Sequence, residues 1–450
     1  MKKQKKPLPA ALTILTDLIW AIIYTVLCCS VYFMRENYYL IIPPTLVALL
    51  VNTACGIGTY GMIPTVSLKI CRHGVSCLTV FGVSALLSVA FHVRLGFLLL
   101  PDDSVQFIIS AAVCVVYLAA IFWNGIISVY LTSIQLGVRL RAIGVLCSLI
   151  PVLNVIVLYV IIRRCAEEVR TETERYELDR SRQDQRLCAT KYPILLVHGV
   201  FFRDFKYMSY WGRIPDALTV NGAEVYTGDH SSAASVADSA AELTERIKQI
   251  VEATGCGKLN VIAHSKGGLD MRCAIENGAA PYVASLTTVS TPHRGCVFAE
   301  VLLKKIPQKI KLRIERTYNK AAAKLGDKDP DFMAAVNDLT ASRCAEFDRE
   351  HPVPAGIYCQ SIGSEQRGAL AGTFPVDLTY HLVRHFSGRN DGLVSFDSFR
   401  FGDNYTYVTP RRSRGITHMD MTDMTRRNVP DFDVREFYVD LVHDLKEKGF

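Results

Sequence analysis

The chain has 450 residues, half of them hydrophobic, with 14 cysteines and a formal net charge of +7. That length accommodates roughly one to three domains. The basic excess is spread thinly and lacks the aromatic-interleaved motif of a nucleic-acid binder, so no nucleic-acid partner is expected. The cysteines are scattered without Cys-x-x-Cys pairs, which argues against both a zinc site and a disulfide framework.

The composition divides the chain. Residues up to 162 are mostly apolar, and those from 163 onward read as a soluble segment. Lys2, Lys3, Lys5 and Lys6 precede an apolar run at 12–34. A bilayer core takes about 20 helical residues, and a cleaved signal has a shorter apolar region ending in small residues, so this run is expected to stay as a span. Further runs lie at 39–63, 77–100, 105–136 and 142–162. If every run spans, the amino-terminal lysines, Lys69, Arg72, Arg139 and Arg141 share one side, opposite Asp102 and Asp103, and the amino terminus is cytoplasmic by the positive-inside rule. Five spans carry the soluble segment outside, where Arg163 and Arg164 would also fall. Four spans, with the run containing Pro151 and Asn154 re-entrant or interfacial, keep it inside. The spans are read as lacking buried ionisable residues apart from Arg94, which lies near an end and can snorkel, and this speaks against a transporter. Residues 163–190 mix Glu, Asp and Arg at helical spacing, the pattern of a solvated connector.

The soluble segment opens with an apolar run, Tyr192 to His198, that predicts a strand buried on both faces. Gly199 then starts the loop Val200-Phe201-Phe202-Arg203-Asp204, where glycine lets backbone approach a substrate carbonyl. Helices are expected from Tyr210 and over 234–253, and a short strand at 224–226. Next comes Lys258 to Asp270: a short apolar run, then Ala-His-Ser-Lys-Gly-Gly, then an amphipathic stretch. That is strand, sharp turn and helix with Ser265 at the turn, the nucleophile-elbow pattern with Ala263 where the commoner motif has glycine. Another buried strand is expected at 283–289, ending in Ser-Thr-Pro-His-Arg-Gly. Strand–helix alternation of this kind predicts a parallel α/β sheet with sites at strand carboxyl ends.

Residues 301–325 form one basic amphipathic element, interrupted early by Pro307, and 332–347 a further helix. The basic element is either a surface helix packed on the core, or a lid or interfacial helix drawn to anionic headgroups. A strand is expected at 356–362. Asp391 sits in an Asn-Asp-Gly turn, and His418 follows in Gly-Ile-Thr-His-Met-Asp. Asp391 could serve only as a turn former. Yet Ser265, Asp391, His418 is the chain order of α/β-hydrolase triads. A serine hydroxyl is a poor nucleophile near neutral pH; a histidine takes its proton, and a carboxylate fixes the imidazole tautomer. His264 is expected to point away from the site, and His293, His381, His385 and His443 to be structural. The natural oxyanion donors are the backbone N–H groups of Val200 and Lys266.

Taken together, residues 190–425 resemble the bacterial triacylglycerol lipases of the α/β-hydrolase superfamily. The resemblance rests on Tyr-Pro-Ile-Leu-Leu-Val-His-Gly at 192–199, Ala-His-Ser-Lys-Gly-Gly at 263–268, Thr-Pro-His-Arg-Gly at 291–295, Phe-Met-Ala-Ala-Val-Asn-Asp-Leu-Thr at 332–340, Asn-Asp-Gly-Leu-Val at 390–394 and His-Met-Asp at 418–420. It implies an α/β-hydrolase fold with a mostly parallel sheet and a helical lid insert after Gly295. It also implies the triad Ser265, Asp391, His418 and oxyanion donors at Val200 and Lys266. Lys266 departs from the usual glutamine, which leaves the needed N–H but alters local charge. The resemblance further implies a structural calcium ion held by two aspartates. Asp420 fits one position and Asp377 is the candidate partner, with a cap or salt-bridge role as the alternative for Asp420; no other cofactor is expected.

The expected organisation is an all-α transmembrane region of four to five helices at 1–162, a charged helical linker at 163–190 and an α/β-hydrolase domain at 191–450. The expected function is that of a serine hydrolase cleaving carboxylic esters of lipids, held in the cell membrane by several spans, on a side the sequence leaves open. An acyltransferase on the same triad, and a non-catalytic ligand-binding or sensing protein with a hydrolase fold, are the alternatives.

Overall fold

The computed structural model describes residues 10–34, 37–57, 63–99, 103–200, 209–324, 326–327, 329–372, 376–409 and 414–450. The amino-terminal lysines, Asp102 and the loop at 201–204 lie outside the described residues. The chain divides into two compact units, Met1–Leu178 and Asp179–Phe450.

Among its described residues the first unit has helices and no strand: α1 (Ala10–Cys29), α2 (Ile42–Ala54), α3 (Val66–Leu99), α4 (Ser104–Thr132), α5 (Gly137–Cys147) and α6 (Leu153–Arg182), which runs on across the boundary. Among the described residues, three stretches are long and apolar enough to cross a membrane: Leu12–Tyr32, Val66–Leu98 and Ser104–Thr132. The apolar helix Tyr39–Ala54 is shorter. The run expected at 142–162 is broken between α5 and α6, where Val152 adopts φ 66° next to Pro151. Proline lacks a backbone donor and restrains the residue before it, so a helix does not run through this point. From Arg163 onward, α6 carries the charged stretch, with Arg163 and Glu167 paired at 3.1 Å.

Inside this unit, Arg72 Nη2 lies 3.0 Å from Asp17 Oδ2, both residues buried, and Ser76 Oγ donates to the same carboxylate. The expectation that Arg94 is the sole ionisable exception is therefore corrected. Asp17 and Arg72 belong to different helices, and only their packing makes each the other's counter-charge. A charge that is paired in this way can be buried at far lower cost than a lone one.

The second unit is built on a six-stranded sheet in the order β2-β1-β3-β4-β5-β6. Its elements in chain order are β1 (Ile194–Val197), α7 (Ile214–Val220), β2 (Val225–Thr227), α8 (Val236–Thr254), β3 (Leu259–His264), α9 (Lys266–Ala274), β4 (Val283–Val289), α10 (Val297–Lys305), α11 (Gln308–Lys324), α12 (Phe332–Asn337), α13 (Ala341–Glu350), β5 (Tyr358–Ser364), α14 (Val376–Ser387), β6 (Asn404–Val408) and α15 (Val434–Glu447). Every pairing in this sheet is parallel. This is an α/β-hydrolase architecture preceded by an all-α region.

Alternation along the strands sorts side chains to two cores. Leu195, Val197, Val261 and Ala263 join the cluster under α8 and α9, while Ile194, Leu196 and Ile262 face Trp211, Tyr438 and Val439 from the α7 and α15 side. Strands buried on both faces read as near-continuous apolar runs; β1, Ile-Leu-Leu-Val, is one, while β3 and β4 also bury Asn260, Ser285, Thr287 and Thr288. β6 is an edge strand of sequence Asn-Tyr-Thr-Tyr-Val, half exposed, and carries no such run. Two expected helices are each divided. The basic element breaks at Ile306–Pro307 into α10 and α11, and the 332–347 helix breaks before Thr340, whose hydroxyl caps α13 at the Arg343 N–H.

Candidate active site

Strand order reverses direction between β1 and β3, since β2 lies on one side of β1 and β3 on the other. Sites in open parallel sheets form at such a switch point, outside the strand carboxyl ends. Gly199 and Val200 follow β1 there, and Ser265 follows β3.

Ser265 has φ 55° and ψ −130°, a conformation that non-glycine residues rarely adopt and that marks stored backbone strain. The turn is held by its neighbours. The Ser265 N–H donates to Val289 O at 2.9 Å, and Gly268 N–H donates to Ser265 O at 3.1 Å. The two glycines after Lys266 are required by contact. A Cβ on Gly267 would stand 2.4 Å from His198 O, and one on Gly268 would stand 2.2 Å from Thr291 Oγ1. Gly199 is pressed against Ser265 in the same way, with a Cβ there falling 2.8 Å from the serine Cβ. The β1 loop thus touches the elbow, and α9 packs flush on the end of β1.

His418 and Asp391 are brought together. His418 Nδ1 lies 2.8 Å from Asp391 Oδ2, and the His418 N–H donates to Asp391 O at 2.8 Å. The other carboxylate oxygen, Oδ1, accepts from the N–H groups of Leu393 (3.0 Å) and Val394 (2.9 Å). Asp391 therefore forms the turn with one oxygen and meets the imidazole with the other. A carboxylate only accepts, so His418 carries its proton on Nδ1 and leaves Nε2 as an acceptor. Asp391 is fully buried, and His418 and Ser265 are 3% and 8% exposed. Among the described residues, Ser265 Oγ has no hydrogen bond to His418. Such bonds are often long before substrate arrives.

His264 does not point away from the site. Its ring sits 4.5 Å from that of His418, its Nε2 donates to His418 O at 3.2 Å, and its Nδ1 accepts from the Tyr210 hydroxyl at 2.7 Å. Burial holds its pKa well below the ordinary value, so it stays a neutral brace for the His418 backbone. The sequence carried one signal for this role, a histidine immediately before the serine; the partner it braces is 154 residues away. His293 is structural, buried and stacked on Phe401.

Lys266 is buried to its tip. Its Nζ donates to Asp270 Oδ1 at 2.7 Å and to Ser239 Oγ at 2.9 Å, one helical turn along α9 and across to α8. The altered charge at this position is thus balanced internally. Burial pushes the Asp270 carboxyl up to about 6, against the opposing pull of Lys266. A raised carboxyl pKa means that the folded state binds the proton more tightly, so the stability due to Asp270 falls as pH rises through about 4 to 6. Removing the ammonium raises that pKa further. Lys266→Met is therefore expected to destabilise the protein by about 3–5 kcal/mol at pH 8, where it strands a buried carboxylate, and by much less at pH 5. Thermal unfolding of the detergent-solubilised chain at the two pH values measures the difference; an equal loss at both would refute the coupling.

The aspartates proposed for calcium do not fit that ion. Asp420 accepts from Arg414 Nη1 (3.0 Å) and Nη2 (3.1 Å) and from Thr417 N (2.9 Å) and Oγ1 (2.8 Å). A guanidinium on both oxygens puts positive charge where a cation needs lone pairs. Asp377 lies in the first turn of α14, where it accepts from the Leu378 N–H at 3.0 Å. Among the described residues, no group of three or more His, Cys, Asp or Glu side chains is arranged to hold a metal.

No protein-family model matches the chain. A triacylglycerol lipase of Vibrio cholerae is 30% identical over 237 residues, which cover 47% of this chain and 75% of the relative. The chain belongs to the triacylglycerol lipase family. Lipases of Pseudarthrobacter phenanthrenivorans and Burkholderia plantarii are each 34% identical over 213 residues, 45% of this chain. The chain spans 65% and 58% of the length of these two relatives. The solved lipase of Staphylococcus hyicus is 18% identical with a TM-score of 0.45, covering 58% of this chain and 97% of that one.

Proposed function

We propose that the chain is a membrane-anchored serine hydrolase that cleaves carboxylic esters of lipids through an acyl-enzyme on Ser265. The observation that carries this reading is the 2.8 Å contact of His418 Nδ1 with Asp391 Oδ2 in a lipase-family chain whose elbow serine follows β3. His418 Nε2 takes the Ser265 hydroxyl proton as Oγ attacks the ester carbonyl carbon. The carbonyl electrons move onto oxygen, where the N–H groups of Val200 and Lys266 donate to it. Collapse expels the alcohol, protonated by His418, and leaves the acyl-enzyme. Water, deprotonated by the same nitrogen, then releases the acid and restores the serine. Asp391 stabilises the imidazolium in both halves.

The three apolar stretches long enough to cross a membrane support the anchoring and suggest a substrate carried in a bilayer. A fluorophosphonate reagent is expected to add one phosphonyl group to the peptide carrying Ser265 in the solubilised full chain, as found by mass spectrometry. Free fatty acid is the expected product from a lipid ester. An unlabelled Ser265 would overturn the reading in favour of a non-catalytic pocket, and acyl transfer to an added alcohol in place of acid release would favour the acyltransferase.

A further inference from the structure

α11 is anchored by one face only. Ile314 packs on the core under α8 and α9, Tyr318 stacks on Phe332 at 4.5 Å between ring centroids, and Ala322 is buried. Successive helix residues advance by about 100°, so these three fix the inward side. Glu315, the helix's one acidic residue, lies toward the same side and is half-buried. The outward side carries Lys309, Arg313, Arg316, Lys320 and Lys324, spaced by three or four residues and confined to a stripe about 80° wide. All five are exposed, and none forms an ion pair among the described residues. Exposed Leu312 and Ile310, 39% and 50% accessible, stand on the two flanks of the stripe. Nothing in folding the core requires this face to be purely basic, because the anchoring is done from the other side.

We propose that the outward face of α11 docks on an anionic phospholipid surface. This rests on the reading of the chain as a membrane-anchored lipid-ester hydrolase and names the bilayer chemistry that it meets. A helix with cationic side chains between short apolar flanks lies in an interface, with the apolar residues entering the headgroup boundary and the cations facing phosphate. Long apolar helices in the same chain favour a bilayer carrying anionic headgroups, rather than a soluble polyanion, as the occupant. α10 to α13 join the carboxyl end of β4, beside the elbow after β3, to β5, and between α11 and α12 Asp327 accepts from the N–H groups of Ser232 and Ala233, in the segment after the carboxyl end of β2. The docked helix therefore belongs to the insert at the catalytic end of the sheet.

The test uses the full chain in nanodiscs of phosphatidylcholine alone, or with about one-third phosphatidylglycerol. An amine-reactive ester reports the exposure of Lys309, Lys320 and Lys324 by mass spectrometry, independent of activity. Phosphatidylglycerol is expected to lower their labelling at least threefold, and high salt to restore it. Equal labelling in the two lipids would overturn the proposal. So would protection by soluble single-stranded RNA in neutral discs with none by phosphatidylglycerol, which would indicate a nucleic-acid partner. In a second arm, K309E/R313E/R316E/K320E is expected to lose the stimulation by phosphatidylglycerol of hydrolysis of a bilayer-borne ester, while its rate on a water-soluble ester stays unchanged. Stimulation retained by the variant would also overturn the docking. Failure of the parent to hydrolyse either ester would instead reject the hydrolase reading, and labelling alone would then decide the docking.

Discussion

Replacing Ser265 by alanine is expected to lower kcat on a short acyl ester by about 10⁵- to 10⁶-fold, with the fold unchanged. In the proposed mechanism the serine Oγ is the atom that bonds to the acyl carbon, a role its neighbours are not placed to take. His264 is held by Tyr210 and the His418 backbone, and Lys266 by Asp270 and Ser239. Alanine keeps the Cβ and therefore the same strained φ of 55°. The serine Oγ has no hydrogen bond among the described residues to lose, so stability should change by less than about 0.5 kcal/mol. Initial rates on a chromogenic ester, alongside an unfolding curve, test both parts. Retention of even a hundredth of the parent rate would show that the nucleophile lies elsewhere.

The second large effect is expected at Asp391→Asn, a loss of about 10⁴-fold in kcat. The structure specifies the mechanism of that loss. One carboxylate oxygen is committed to the N–H groups of Leu393 and Val394. An asparagine will keep its carbonyl oxygen there, because those two groups can only donate. Its amide nitrogen then faces His418 Nδ1 and must donate to it. The imidazole proton moves to Nε2, the side facing the serine, and the base is lost while the geometry persists. A pH–rate profile together with an ¹⁵N spectrum of the histidine rings separates this from misfolding: the variant should show the inverted tautomer in a folded chain. An unchanged tautomer with unchanged activity would remove Asp391 from the mechanism.

Much of this site could be read before any fold was known, for a physical reason particular to each piece. The elbow is legible because a turn that tight admits only small residues around it; Gly267 and Gly268 face His198 O and Thr291 with no room for a Cβ. β1 is legible because a strand covered on both faces reads as a near-continuous apolar run, and β3 and β4 because their apolar residues dominate even though Asn260, Ser285 and Thr287 are buried and hydrogen-bonded within the sheet. Asp391 and His418 are legible through turn chemistry and chain order, though neither shows that the two meet. β6 was not legible. Its tyrosines pack sideways, Tyr407 against Phe396 with Arg389 over its ring at 4.8 Å, rather than into a continuous core.

The sequence by itself determined the division into an apolar helical part and an α/β part, the positions of the buried strands, the strained serine turn and the basic character of residues 304–324. All of these follow from local periodicity, turn geometry and composition, which a chain carries wherever its neighbours lie. Only the tertiary structure decided which charges are paired. It set Arg72 against Asp17, Lys266 against Asp270 and Arg414 against Asp420, and it turned His264 under His418 rather than away. It also showed that the α11 cations are left with no such partner among the described residues. Lys266 and Asp270 are four residues apart, but their burial depends on α8 closing over them. The cost of a buried charge depends on which oxygen or nitrogen comes within about 3 Å of it, and that is set by packing between distant elements.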